Sequence, residues 1–335
     1  MHTGDKCFTY PPMVMPFLNK FYGLIMKEET IVEARHLSHR YAAQWAIRDI
    51  NFEISRKGIL GLLGSNGAGK STTMNIICGV LNQTEGEVFI NGINLRKDPV
   101  AAKKFIGFLP QRPPLYAELS VDEYLTYCAR LRMVEPREVR KAVDAAEAKC
   151  GITHFKKRLI GNLSGGYQQR VGIAQAIVHE PLFVVLDEPT NGLDPVQIVE
   201  VRHLIKEIAT ERAVLLSTHI LPEVQATCDE IRMIEHGRMV FSGTMDEFNN
   251  YMEPCSFLVT FGNPPLPEEL KNVEGISEVE VLTPQQFRVF FVAPADITRQ
   301  VVDLSVVKGW QLEEITLERE SLDTIFARLS KNSKV

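Results

Sequence analysis

The nine residues 64–72, GSNGAGKST, constrain this chain more than any other stretch. They follow the apolar run Gly58–Leu63 (GILGLL) and precede residues 74–80 (MNIICGV), an apolar stretch with helical character. A buried strand, a glycine-rich turn and a helix start form an arrangement that cradles phosphate. Gly64, Gly67 and Gly69 let backbone N–H groups turn inward around an anion, with Ser65, Asn66 and Ala68 between them. The following helix start adds partial positive charge. Lys70 can reach terminal phosphates, the Ser71 hydroxyl can ligate Mg²⁺, and Thr72 continues the helix start. The competing reading is a glycine-rich turn that fits the pattern by chance; the strand before it and the helix after it speak for phosphate.

The rest of the composition sets the frame. A chain of 335 residues suits one large domain or two of ordinary size. With 45% hydrophobic and 24% charged residues it reads as globular, and a net charge of -5 leaves no basic footprint for nucleic acid. The six cysteines are scattered, without CxxC or metal-ligand spacing, as expected of free thiols in a reducing compartment. No stretch approaches the roughly twenty apolar residues of a membrane-spanning helix. Residues 1–26 are apolar in part but broken by prolines, Asn19 and Lys20, and lack a small-residue cleavage site, which argues against a signal peptide. Residues 1–28 are therefore expected to be a disordered extension, or to lie upstream of a working start at Met26. A membrane-surface anchor is the weaker alternative.

Further along, residues 30–37 and 45–54 alternate as strands, and Tyr41 falls in the expected turn SHRYAAQ. An exposed aromatic there could stack on a nucleotide base, but from the residues alone a packing tyrosine is the better reading. Residues 86–90 and 104–109 read as strands, the second ending at Pro110–Gln111. Residues 121–133 and 136–150 have helical spacing, so about 115–157 reads as a helical insert in a strand-rich core. Residues 163–170 read LSGGYQQR: Ser164, Gly165 and Gly166 before a periodic run are expected to form a capped helix start. It is either a second phosphate contact or an ordinary N-cap.

Residues 182–186 (LFVVL) fit a central strand of a parallel sheet and end in Asp187 and Glu188. Two acids at the carboxyl end of a buried strand are costly unless they bind something, and ligands sit at that edge. Asp187 can hold Mg²⁺ and Glu188 can polarise an attacking water; a salt-bridged surface pair is the alternative. Residues 189–195 (PTNGLDP) form a tight loop carrying Asp194, before a helix at 197–209. The strand 213–217 ends at Thr218–His219, where the histidine could contact a γ-phosphate or be structural.

In order and spacing these residues resemble the nucleotide-binding ATPase subunits of ABC transporters, over about residues 31–251. The resemblance identifies a Walker A at 64–71, a Q-loop glutamine at Gln111 and an LSGG signature at 163–166. It continues with a Walker B at 182–187, the adjacent Glu188, a D-loop at 192–194 and a switch histidine at His219. It also reverses the reading of Tyr41, which matches the adenine-stacking loop of the family. It implies an α/β fold: a P-loop NTPase ABC nucleotide-binding domain with a helical subdomain. Two such domains would pair head to tail, with Ser164, Gly165 and Gly166 acting in trans on the ATP of the other copy. Glu188 would polarise water, His219 hold the γ-phosphate, and Gln111 sense Mg²⁺ and a membrane partner. The departures are Ser65, where the family more often has proline, and Tyr167, where Met, Gln or Glu is commoner.

Residues 254–335 form a separate pattern, β-α-β-β-α-β with a closing helix, expected to be a small ferredoxin-like α+β domain. The closing SLDTIFARLS resembles the tails of ATPases serving ABC-2-type exporters. The expected organisation is an extension at 1–28, an ABC ATPase domain at 29–253 and a regulatory or dimerisation domain at 254–335. The resemblance implies ATP and Mg²⁺ as cofactors, a separate integral-membrane permease and a second ATPase copy as partners, and no nucleic acid. It places the chain in the cytoplasm, peripheral on the inner face of the membrane. The alternatives are a soluble non-transport ABC ATPase and an ATP-switched regulatory module. Against them stand the acidic charge, the absence of a second ATPase domain or long coiled coil, and the intact Glu188 and His219.

Overall fold

The computed structural model describes residues 30–251, 256–291 and 297–318. By contacts the chain divides into two compact units, Met1–Leu60 with Ser71–Ser217, and Gly61–Lys70 with Thr218–Val335.

The first unit opens on a hairpin of β1 (Val32–Tyr41) and β2 (Gln44–Ile54). Tyr41 was expected in the turn; it is instead the last residue of β1, paired with Gln44, and the turn is made by Ala42 at φ 50 and Ala43. Alanine carries no turn signal, which is why the sequence placed the turn too broadly. β3 (Gly58–Leu63) leads to the phosphate loop. Helix α1 (Lys70–Ile77) starts and stops earlier than the apolar run suggested, because Gly79 takes a left-handed φ of 64 and its N–H turns back to Ile76. β4 (Glu85–Ile90) pairs antiparallel with β1, and the short β5 (Ile93–Asn94) completes the order β2-β1-β4-β5.

One short element that the sequence reading passed over follows. Asp98 caps α2 (Pro99–Lys103) by accepting from Ala101 N–H, and the next strand, β6 (Ile106–Leu109), is correspondingly shorter than expected. The helical insert contains α3 (Val121–Leu131), opened by a Ser120–Glu123 capping box, and α4 (Val139–Lys149). It is followed by α5 (Gly165–Ile177) and the fully buried β7 (Phe183–Asp187). Then come α6 (Pro195–Ala209) and β8 (Ala213–Thr218), in which every residue is buried. β6, β7 and β8 are parallel, and β8 neighbours β3. Near-continuous Val, Leu and Phe runs belong in such a sheet because both faces are covered.

In the second unit β3 neighbours β9 (Glu230–Glu235), which pairs antiparallel with β10 (Arg238–Thr244). The helices α7 (Leu221–Thr227) and α8 (Met245–Tyr251) flank these strands. Its C-terminal part runs β11 (Ser256–Phe261), α9 (Pro267–Lys271), β12 (Ile276–Val281), β13 (Gln286–Phe291), α10 (Ile297–Lys308) and β14 (Leu312–Glu318). The four strands form an antiparallel sheet in the order β12-β13-β11-β14, the ferredoxin-like arrangement. Phe257, Phe261, Phe287, Phe291, Val301 and Trp310 are buried together beneath it. Each such side chain contributes about 1.5–3 kcal/mol by leaving water. The closing helix expected at 321–329 and the extension at 1–28 lie outside the described residues.

Candidate functional site

The phosphate loop belongs to the second unit up to Lys70. Gly67 and Gly69 adopt φ of 83 and 112, conformations that glycine takes at little cost. A Cβ on Gly64 would lie 2.3 Å from the Ile234 carbonyl, so no larger residue fits there. Ala68 N–H donates to Ser65 O at 3.1 Å, closing the turn. Lys70 is 6% exposed and folds back along the loop, its Nζ donating to Gly64 O at 2.8 Å and Ser65 O at 3.0 Å. A buried ammonium folded back onto loop carbonyls is prepared for an anion. Asn66 and Gly67 are exposed at the loop tip. His219 also lies in this unit, exposed, just after Thr218, whose hydroxyl donates to Glu223 at 3.0 Å and accepts from Ile220 N–H at 3.1 Å.

The first unit gathers most of the other candidates. Asp187, buried, ends β7, and Glu188 follows it at φ 47, a strained conformation for a residue with a side chain. Glu188 N–H still donates to Ser217 O at 3.0 Å, prolonging the sheet ladder by one residue. Gln111 Nε2 donates to Glu188 Oε2 at 2.8 Å, so two residues 77 apart in sequence meet at the carboxyl edge of the parallel strands. Asn191 Nδ2 reaches the same oxygen at 3.2 Å; sequence reading had not singled it out, although its place three residues after Glu188 in a tight loop was a signal. Ser71 and Thr72 lie in this unit as well, on α1.

Ser164 takes the N-cap position of α5 with φ -65 and ψ 160, but its side chain makes no cap hydrogen bond. The expected capping by Ser164 is therefore corrected: the residue has cap backbone geometry without the cap bond. Gly165 is exposed, and Gly166 is pressed by Gln197, whose Cδ would be 2.5 Å from an added Cβ. Tyr167 packs edge-on against Phe155 at 4.6 Å, and Arg170 reaches Glu200 at 2.7 Å, tying α5 to α6. Asp194 caps α6 with bonds of 3.0 and 2.9 Å from Val196 and Gln197 N–H. Tyr41, 53% exposed, meets the His39 ring edge-on at 4.7 Å and leaves a ring face outward.

Among the described residues no group of three or more His, Cys, Asp or Glu side chains could hold a metal ion unaided. Cys78 and Cys150 are buried and outside any disulfide, and burial raises both thiols, the second to about 12. The thiols are thus protonated and chemically quiet.

A phosphate loop after a buried strand, an acid pair after a parallel strand and a glycine-opened helix define a nucleotide-hydrolysing α/β protein. The family model described as ABC transporter matches residues 47–191. The bacitracin transport ATP-binding protein BcrA of Bacillus licheniformis is 36% identical over 63% of this chain and 69% of its own length. The ABC transporter ATP-binding protein YxlF of Bacillus subtilis is 28% identical over 88% of this chain and 97% of its own. A solved structure of cbiO1 from Clostridium perfringens, described as part of the ABC transporter complex cbiONQ, is 31% identical. It superposes with a TM-score of 0.61 over 67% of this chain and 92% of that one. The chain belongs to the ATP-binding proteins of the ABC transporter family and is an ABC ATPase.

Proposed function

We propose that this chain is the ATP-hydrolysing subunit of an ABC-2-type exporter, working on a separate membrane permease from the cytoplasmic face. The observation that carries the catalytic part is the meeting of Gln111 and Glu188 beside buried Asp187. In this reading residues 29–253 are the ATPase domain and 254–335 a regulatory or dimerisation domain. Residues 64–72 bind the phosphates of ATP, and Tyr41 stacks on its base. Ser71, Gln111 and Asp187 hold Mg²⁺, which neutralises charge on the phosphates. Glu188 takes a proton from the attacking water, and His219 contacts the γ-phosphate. Ser164, Gly165, Gly166 and Asp194 serve the ATP of a second copy. The Ser164 side chain, which makes no cap bond to its own helix, is suited to that role.

Transport is supported by the relative that serves bacitracin transport, and partner subunits by cbiO1, which is part of a transporter complex. Export rests on the C-terminal resemblance. The test is affinity purification of the chain from gently solubilised membranes of its own cells, with mass-spectrometric identification of what accompanies it. A polytopic membrane protein in stoichiometric amount is expected; a ribosomal or nucleic-acid partner, with the chain only in the soluble fraction, would overturn the transport reading.

A further inference from the structure

The phosphate loop is held from outside itself by the end of β9 and the turn after it. Ser65 Oγ donates to the carboxylate of Glu235, 2.9 Å from each oxygen, and its backbone N–H lies 3.4 Å from Oε2. Glu235 ends β9 and is 7% exposed. On its other side Ser65 gives its carbonyl to Lys70 Nζ. One residue thus joins the buried carboxylate to the lysine that serves the phosphates. The neighbouring backbone is tied to the same strand end: Gly237 N–H donates to Ala68 O at 2.9 Å. His236 Nε2 also faces the carboxylate, at 3.7 Å.

A carboxylate close to an anion-binding loop opposes the ligand by charge, so its placement needs a reason. The Ser65 donors supply one, because hydrogen bonds to a charged acceptor fix direction more firmly than neutral ones. Proline, commoner at position 65 in the family, has neither N–H nor hydroxyl and could not use this acid.

We propose that Glu235 is a positioning residue for ATP: acting through Ser65, it sets the orientation of the phosphate loop and of Lys70, and thereby affinity for the triphosphate, without touching the nucleotide. The inference rests on residues 64–72 being the phosphate site. It is tested by equilibrium binding of a fluorescent ATP analogue with Mg²⁺ to the full-length chain. E235A is expected to weaken binding about tenfold, the size of a lost charged hydrogen bond, and E235Q, which keeps an acceptor, by less than about threefold. S65P alone leaves the carboxylate buried without its Ser65 donors and is expected to weaken binding at least as much as E235A. Adding E235A to S65P should then recover affinity rather than lose more, an outcome that a merely structural role would not give. Additive losses, or an E235A variant that binds like wild type, would overturn the proposal. K70A separates the two levels: binding abolished by K70A but untouched by E235A sinks only the role of Glu235. Binding that survives K70A sinks the assignment of the loop and this proposal with it.

Discussion

Gln111 and Glu188 share a hydrogen bond of 2.8 Å, from the amide Nε2 of the first to Oε2 of the second. Asn191 donates to the same oxygen at 3.2 Å. The carboxylate is therefore aimed by two amides before any water reaches it, and its backbone is held at φ 47 by the loop that follows β7.

If Glu188 is the general base, E188Q should lower steady-state ATP turnover by about 10²–10⁴-fold while the ATP analogue still binds. Q111A should keep nucleotide binding within a few-fold and lower turnover by less than E188Q, since it removes an aiming group and not the base. Turnover of E188Q at the wild-type rate would remove Glu188 from the mechanism.

Asp194 satisfies two backbone donors at the start of α6. D194A is expected to cost about 1 kcal/mol of stability, read as a lower urea midpoint at unchanged slope. An unchanged midpoint would mean that the cap adds nothing to the folded chain.

Glu147 on α4 is fully buried, and burial, reinforced by nearby Asp122, raises its carboxyl to about 7. The folded state then holds a proton that the unfolded state releases, so this group's stabilising effect is complete below about pH 4.5 and is lost as pH rises through about 7. His179 works in the opposite sense: burial lowers its pKa to about 4, so its contribution is lost as pH falls below about 6.5. Wild type therefore shows the difference of two slopes. The clean readout is the melting temperature of E147Q minus that of wild type, which should grow from pH 5 to pH 8. A constant difference would mean that Glu147 does not titrate with folding.

Phe261 is fully buried in the C-terminal core and meets Phe287 at 6.0 Å and Trp310 at 5.7 Å. F261A should destabilise that part by about 3–5 kcal/mol. Limited proteolysis followed by mass spectrometry should then show early cuts beyond residue 256. Cleavage no faster than in wild type would contradict the packing.

The residues of the candidate site were legible where chemistry forces residue type. Glycines at left-handed φ, a lysine after them and acids after an apolar strand leave a trace that needs no neighbours to be read. The C-terminal strands were legible because one face is wet: Ser256–Phe261 and Gln286–Phe291 alternate in burial as they do in sequence. What stayed hidden depends on tertiary pairing. Nothing near Glu235 announces that it will bond to Ser65, 170 residues earlier, and the short α7 and β9 leading to it carry no strong period. The Ala42–Ala43 turn is imposed by the pairing of β1 and β2 against weak local preference. α2 was missed despite an adequate signal, aspartate followed by proline at the helix start.

The C-terminal sheet ends on β12 at one side and β14 at the other. β12 carries Glu278 and Glu280, and β14 carries Glu313 and Glu314, all of them exposed. Two copies joining these edges into one continuous sheet would set carboxylates against carboxylates, and such rims keep folded chains from sticking to each other. Association through this part of the molecule is thereby steered to a helix face or the open sheet surface at neutral pH.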